Sequence, residues 1–452
     1  MAARPRLPLT KAYADPESRS ARLFRRAQEV LPGGNSRMTV FMAPYPPYAA
    51  EGQGSWLVDV DGDRRLDFLN NYTSLIHGHA HPAVTEAAAR RLRQGASFPL
   101  PTPEEIELAS LLVERLPAVE HVRFTNSGSE AVMMAVKAAR AFTGRVKLGK
   151  FEGAYHGSYD YAEVSLTSVP ENWGPLAEPA SVAYARGTPS AVLEDVVVLP
   201  FNHPEPACRR IEREAQRLAA VILDPVPNRV GLMPATPEFL RAVRDVTAAH
   251  GVLLIFDEVI SFRVGYHGAQ GLYGIRPDLT VLGKIIGGGF PVGAVGGRAD
   301  VMAVFDPRHG RPAVPHSGTF NANPVTMTAG LAAMRLLDAE ALRRLDELGG
   351  KLRDGMRASF TDAGIPGSLT GAGSLFRIHP TAREPMDYRS ARQDPVESAR
   401  LSRLVRYLLD HGVLVSPTGL GCLSTPMGEA ELASFLDVFA AAVAAERQNA
   451  SA

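Results

Sequence analysis

A lysine at the end of an apolar stretch and followed by glycines is placed for covalent chemistry, and Leu279-Thr280-Val281-Leu282-Gly283-Lys284-Ile285-Ile286-Gly287-Gly288-Gly289 is such a segment. Burial disfavours the charged ammonium and frees the amine to attack a carbonyl, while the glycines let a ligand approach the backbone. A salt-bridged lysine would suit the same setting. Earlier in the chain Leu253-Leu254-Ile255-Phe256 runs into Asp257-Glu258. An acid at the end of a buried strand needs a cation, either a side chain such as Arg263 or a protonated heterocyclic nitrogen on a cofactor. A third group, Asn126-Ser127-Gly128-Ser129-Glu130, separates a short β-branched run from a helical pattern. Small residues at a helix start leave N–H groups and the positive dipole end open to a phosphate, and the serines add hydroxyl donors. Plain helix capping would use the same residues. The Gly283-Lys284 pair is not a Walker loop, because the leading glycine is missing and Ile285 follows the lysine.

The elements that must hold these groups alternate. Apolar runs at 121–125, 146–151, 196–199, 220–223, 252–256, 279–282 and 293–296 read as strands, and 130–142, 205–218 and 237–250 as helices. That alternation predicts βαβ units and a mostly parallel sheet, in which ligands gather beyond the carboxyl ends of the strands. A further helix opens at Thr102-Pro103, with the threonine as N-cap and the proline in the first turn. The stretch WLVDVDGDRRLDFL reads as a hairpin turning at Asp61-Gly62. The segment 158–194 is too long for an ordinary connection and is a candidate lid.

Composition narrows the field. The 452 residues carry 48 basic and 48 acidic side chains, so no global field attracts a polyanion, and nucleic acid is not an expected partner. Six of the basic residues are lysines, so each lysine carries weight. Two cysteines, Cys208 and Cys422, suit a reducing cytoplasm and make no disulfide framework. No apolar run approaches the roughly 20 residues of a membrane span, and residues 1–20 lack a signal-peptide core. His77, His79 and His81 alternate as metal ligands can, yet no metal is expected there.

A phosphate cradle, an acid for a pyridine nitrogen and an imine-forming lysine together fit pyridoxal phosphate. With Leu31 to Arg37, Gly78-His79-Ala80-His81-Pro82, Gly153-Ala154-Tyr155-His156-Gly157, Asp257-Glu258-Val259 and Gly318-Thr319-Phe320-Asn321-Ala322-Asn323-Pro324 in order along the chain, the sequence resembles the class III aminotransferases of fold type I. Within them it looks most like the branch of glutamate-1-semialdehyde 2,1-aminomutase and the β-amino-acid aminotransferases. The resemblance implies an α/β fold: a large domain on a mostly parallel seven-stranded sheet (76–330), an N-terminal segment (1–75) that covers the site, and a C-terminal part (331–452) that completes a smaller α+β domain.

It also implies roles. Lys284 would link covalently to the cofactor and shuttle the substrate proton, and Asp257 would hold the pyridinium. Ser127, Gly128 and Ser129 would bind the phosphate, with Thr319 reaching the phosphate of a second copy, so that a homodimer shares its sites. Tyr155 and Val259 would face the two sides of the ring, and His156, beside the tyrosine, is either a cofactor contact or a core histidine. Arg37 would grip a substrate carboxylate. Three departures stand out: Asp224-Pro225 where Glu-Pro is common, Tyr72 where an entrance tryptophan is usual, and no basic residue in 416–424, where some relatives place a second arginine, for which Arg229 could substitute. The expected activity moves an amino group between an amino acid, expected to be a β-amino acid, and a keto acid by ping-pong half-reactions. The alternatives are a 2,1-aminomutase, which would need the lid, and a scaffold without catalysis.

Overall fold

The computed structural model describes residues 15–450, so the reading of residues 1–14 lies outside the described residues. All seven expected strands form and share one sheet: β1 (His121–Thr125), β2 (Lys147–Phe151), β3 (Val196–Leu199), β4 (Leu218–Leu223), β5 (Leu253–Asp257), β6 (Leu279–Gly283) and β7 (Gly293–Gly297). Their order is β1-β7-β6-β5-β4-β2-β3. Neighbours from β6 through β3 pair in parallel, and β7 lies antiparallel to both β1 and β6. The mostly parallel α/β sheet is therefore as expected. The helix expected at 205–218 stops earlier, at Pro204–Glu214, because Leu218 is drawn into β4.

Both faces of the sheet are covered, which is why its strands read as unbroken apolar runs. Ala131, Val132 and Ala135 of helix α1 (Gly128–Thr143) pack on Leu148, Ile222, Ile255 and Val281. Phe239, Leu240 and Val243 of helix α2 (Pro237–Ala249) pack on Val221, Leu254 and Phe256 of the opposite face. The period of two along β5 thus sends Ile255 and Asp257 to the α1 side.

The remaining structure closes over the strand ends. The hairpin forms with Trp56 opposite Leu66, and Val413 pairs in parallel with Leu66, so one four-stranded sheet draws on both ends of the chain. A three-stranded sheet (Ser368–Thr370, Leu375–His379, Leu420–Cys422) and the helices Ala339–Ala363 and Glu429–Ala450 share a core with the large unit through Phe68, Leu108, Phe262, Phe376 and Phe435. Thr102 is the N-cap of Pro103–Arg115, but its hydroxyl makes no capping bond. No helix among the described residues is long and apolar enough to cross a membrane.

Candidate active site

Beyond the carboxyl ends of β4, β5 and β6 lies a cavity of about 380 Å³ lined by Asn71, Ser74, Asn126 to Ser129, Tyr155 to Gly157, Asp224, Asp257, Val259, Ile260, Lys284 and Gly289 to Val292. Its anion-binding end is the start of α1. Ser127 is the N-cap and its hydroxyl oxygen accepts from Glu130 N at 3.2 Å, so capping does occupy that oxygen. The N–H groups of Gly128 and Ser129, in the first turn, have no partner among the described residues and remain open. Glycine is required in the facing strand: a Cβ at Gly293 would lie 2.0 Å from the Ser127 carbonyl oxygen. Val259 fills the space beside Gly128, where a Cβ would come within 3.0 Å of its Cγ2.

Asp257 forms the floor. Its carboxylate receives His156 Nδ1 at 2.7 Å and Val259 N at 3.1 Å, and Arg263 is not its partner. Arg263 instead donates to Ser374 Oγ at 3.0 Å, Thr73 O at 2.9 Å and Leu423 O at 2.5 Å, tying the site to the C-terminal unit. His156 therefore serves Asp257. Burial holds its imidazole below the ordinary histidine range, so the ring is neutral and carries its proton on Nδ1, leaving a buried Nε2 without a partner.

Lys284 follows β6 with φ at 51°, a left-handed conformation that costs a non-glycine residue about 1–3 kcal/mol and recurs at functional sites. Burial lowers the amine's pKa, opposed by the charges of Asp257 and Asp224, and neither carboxylate forms an ion pair with it. Asp224 was expected only as a departure from Glu-Pro. It lines the cavity, 6% exposed, and burial followed by the charge of Asp257 holds its carboxyl well above the usual carboxylate range.

Four consecutive residues, Asn70 to Thr73, have positive φ, between 47° and 73°, and form a left-handed turn at the mouth. Asp67 accepts from Leu69 N at 2.8 Å and Asn70 N at 2.9 Å, and Asn70 Nδ2 donates to Cys422 O at 3.0 Å, which holds the turn. Asn71, which sequence reasoning missed, lines the cavity and accepts from Arg37 Nη1 at 2.8 Å. Arg37 is exposed and has no carboxylate partner among the described residues, so it is not a surface salt bridge.

Other expected residues stand apart. Tyr72 donates to Thr39 O and packs near Val226 and Val264 instead of lining the cavity. Arg229 is exposed and is not among the residues that line the cavity. Thr319 borders a separate hollow of about 240 Å³ with Ser97, Phe98 and Asn321. The segment 158–194 contributes no lining residue. It is fastened to the edge of the sheet by Ser181 Oγ to Val196 O at 2.8 Å, and to Tyr388, whose Oη donates to Ser168 O at 2.8 Å. His77 and His79 spend ring nitrogens on Thr425, Ala333 and Asp67.

The arrangement fits pyridoxal phosphate: open N–H groups for a phosphate, a doubly hydrogen-bonded carboxylate for the ring nitrogen, a neutral-leaning amine for the aldehyde, and Tyr155 and Val259 on the cavity walls. Comparison with known proteins agrees. An omega-transaminase from Sphaerobacter thermophilus is 54% identical, with a TM-score of 0.95 over 97% of this chain and 100% of that one. A beta-phenylalanine transaminase from Variovorax paradoxus is 39% identical over 93% of this chain and 92% of its own. A glutamate-1-semialdehyde 2,1-aminomutase from Methanothermobacter thermautotrophicus is 40% identical over 89% of this chain and 93% of its own. Residues 41–437 match the aminotransferase class-III family, and the chain belongs to that family of pyridoxal-phosphate enzymes with fold type I.

Proposed function

We propose that this aminotransferase takes its amino group from a carboxylate-bearing amino acid, a β-amino acid in particular, and delivers it to a keto acid in two ping-pong half-reactions. The observation that carries the reading is Arg37, an exposed guanidinium that donates to Asn71 of the cavity lining and has no carboxylate partner among the described residues. Pyridoxal phosphate, when bound, supplies the electron sink. The chain supplies the rest. Asp257, which accepts from His156 Nδ1 and Val259 N, would hold the ring nitrogen, and Gly128 and Ser129 would present N–H groups to the phosphate. Lys284 carries the proton at the reacting carbon on a buried amine whose lowered pKa leaves it able to accept one. Arg37 fixes the far end of the substrate, so the reacting carbon is set by the reach from guanidinium to amine.

The wider setting belongs to the same proposal. Thr319, set away from its own cavity, would complete the phosphate site of a second copy in a homodimer. Two free cysteines accord with a cytoplasmic enzyme. A relative named β-phenylalanine transaminase supports the β-amino donor.

The experiment is a donor panel. Holoenzyme is incubated with α-, β- and ω-amino acids, each with a keto acid, and the new amino acid is measured by chromatography. β-Amino donors should give stoichiometric product, and Arg37→Ala should lower kcat/KM for them about 10-fold to 150-fold, the value of a lost charged hydrogen bond of about 1.5–3 kcal/mol. An unchanged kcat/KM in Arg37→Ala removes the carboxylate assignment. Turnover of an amino-aldehyde with no acceptor present would establish the aminomutase instead.

A further inference from the structure

Asp224 and Asp257 are adjacent acids. The register that pairs Leu223 with Phe256 brings the next residues of β4 and β5, the two aspartates, side by side at the cavity floor. Their supply of donors is unequal. Asp257 has two, His156 Nδ1 and Val259 N, at 2.7 and 3.1 Å. Asp224 has one, Val226 N at 2.9 Å to Oδ1, and its Oδ2 has no donor among the described residues. Two neighbouring buried carboxylates do not both ionise at neutral pH, and the one with more donors keeps the charge. The other groups facing Asp224 do not reverse this. Glu258, at the end of β5, is fully buried and engaged with Ala269 N, Gln270 N and Gln270 Nε2. Tyr273 approaches from the helix Gly268–Tyr273, His156 is neutral behind Asp257, and Lys284 stands across the cavity without an ion pair.

We propose that Asp224 is a hydrogen-bond-donating residue of this active site, presenting a neutral carboxyl group through Oδ2 to the cavity that it lines together with Lys284. As a neutral acid it donates a hydrogen bond to an oxygen of the bound molecules and does not repel a substrate carboxylate. When it ionises, both effects reverse and the floor gains one more buried negative charge. The inference rests on this cavity being the site of transamination, and on no particular donor. It makes Asp224 a residue without which the alkaline side of the pH profile has a different shape.

Two measurements test it. Holoenzyme is labelled with carbon-13 aspartate, which leaves Glu258 unlabelled, and infrared difference spectra are taken between neutral and alkaline pH. The expected signal is a labelled protonated-carboxyl band at neutral pH that disappears at alkaline pH and is missing from Asp224→Asn. A wild-type enzyme with no such band at neutral pH overturns the proposal, whatever amino donors the enzyme accepts. The second measurement is the pH profile of kcat/KM for a single half-reaction. Asp224→Asn, whose amide donates a hydrogen bond but cannot ionise, should lack the wild-type alkaline limb. An alkaline limb that persists in Asp224→Asn, at whatever level of activity, overturns the assignment. If the variant fails to hold cofactor, the labelled wild-type spectrum still decides.

Discussion

Replacing His156 tests how the floor of the site is charged. Its side chain is wholly buried and its Nδ1 lies 2.7 Å from Asp257 Oδ2, one of only two donors to that carboxylate among the described residues. Burial keeps the imidazole neutral, so the bond is from a neutral donor to a charged acceptor, worth about 1.5–3 kcal/mol. Asp257 must be charged to hold a protonated ring nitrogen, so the loss falls on the cofactor-bound state. At 1.4 kcal/mol per tenfold, His156→Ala should weaken cofactor binding about 10-fold to 150-fold. The assay is a titration of cofactor-stripped, full-length protein with pyridoxal phosphate, followed by visible absorbance. His156→Asn leaves similar empty space but can place an N–H near the Nδ1 position, and should recover binding to within about fivefold of wild type. The comparison separates the hydrogen bond from the packing. Equal weakening in both variants, or binding by His156→Ala within about twofold of wild type, would refute the reasoning.

Two further outcomes concern stability. Arg263→Met keeps the apolar bulk but strands the acceptors Thr73 O, Leu423 O and Ser374 Oγ, and should cost about 1–3 kcal/mol for each acceptor left unpaired, read as a lower urea midpoint with an unchanged slope; a total loss under about 1 kcal/mol would show that the tie is dispensable. His379, 1% exposed and bonded to Gly231 O at 3.1 Å, is pushed down to about 4 by burial. The unfolded chain therefore takes up a proton that the folded chain refuses. The stability is complete above the ordinary histidine value of about 6.5 and is lost as pH falls toward 4, by up to about 3 kcal/mol. His379→Gln should flatten the fall of Tm over that window, and an equally steep fall would exclude His379 as its cause.

Much of the fold was readable because its signals are local. Buried parallel strands are short apolar runs, and the ends of those runs carry the chemistry, so Lys284, Asp257 and the Ser127 to Ser129 turn could be placed before any contact was known. Asp224 directly follows β4 as Asp257 ends β5, and that parallel is the sequence signal for a second acid at the strand ends. Arg263 sits six residues after Asp257 and was the obvious ion partner, but its acceptors come from positions 73, 374 and 423, which no local pattern reveals. The segment 158–194 was long enough for a lid, and length says nothing of whether its polar groups find partners on the sheet edge. Asn71 was missed because four successive left-handed residues that include a tyrosine and a threonine have no sequence signature.

The left-handed turn at Asn70 to Thr73 bears on how this enzyme can change. Each non-glycine residue in that conformation costs about 1–2 kcal/mol, and asparagine bears it most readily. That turn is therefore written in a restricted alphabet, which favours glycine, asparagine and aspartate and carries Tyr72 and the β-branched Thr73 only at a cost. Variation in substrate range is steered away from it, toward Ile260 and Phe290, which line the same cavity on backbone free of that constraint. A laboratory library aimed at new amino donors gains most at those two positions and spends most of its diversity on unfolded protein at Asn71 and Tyr72.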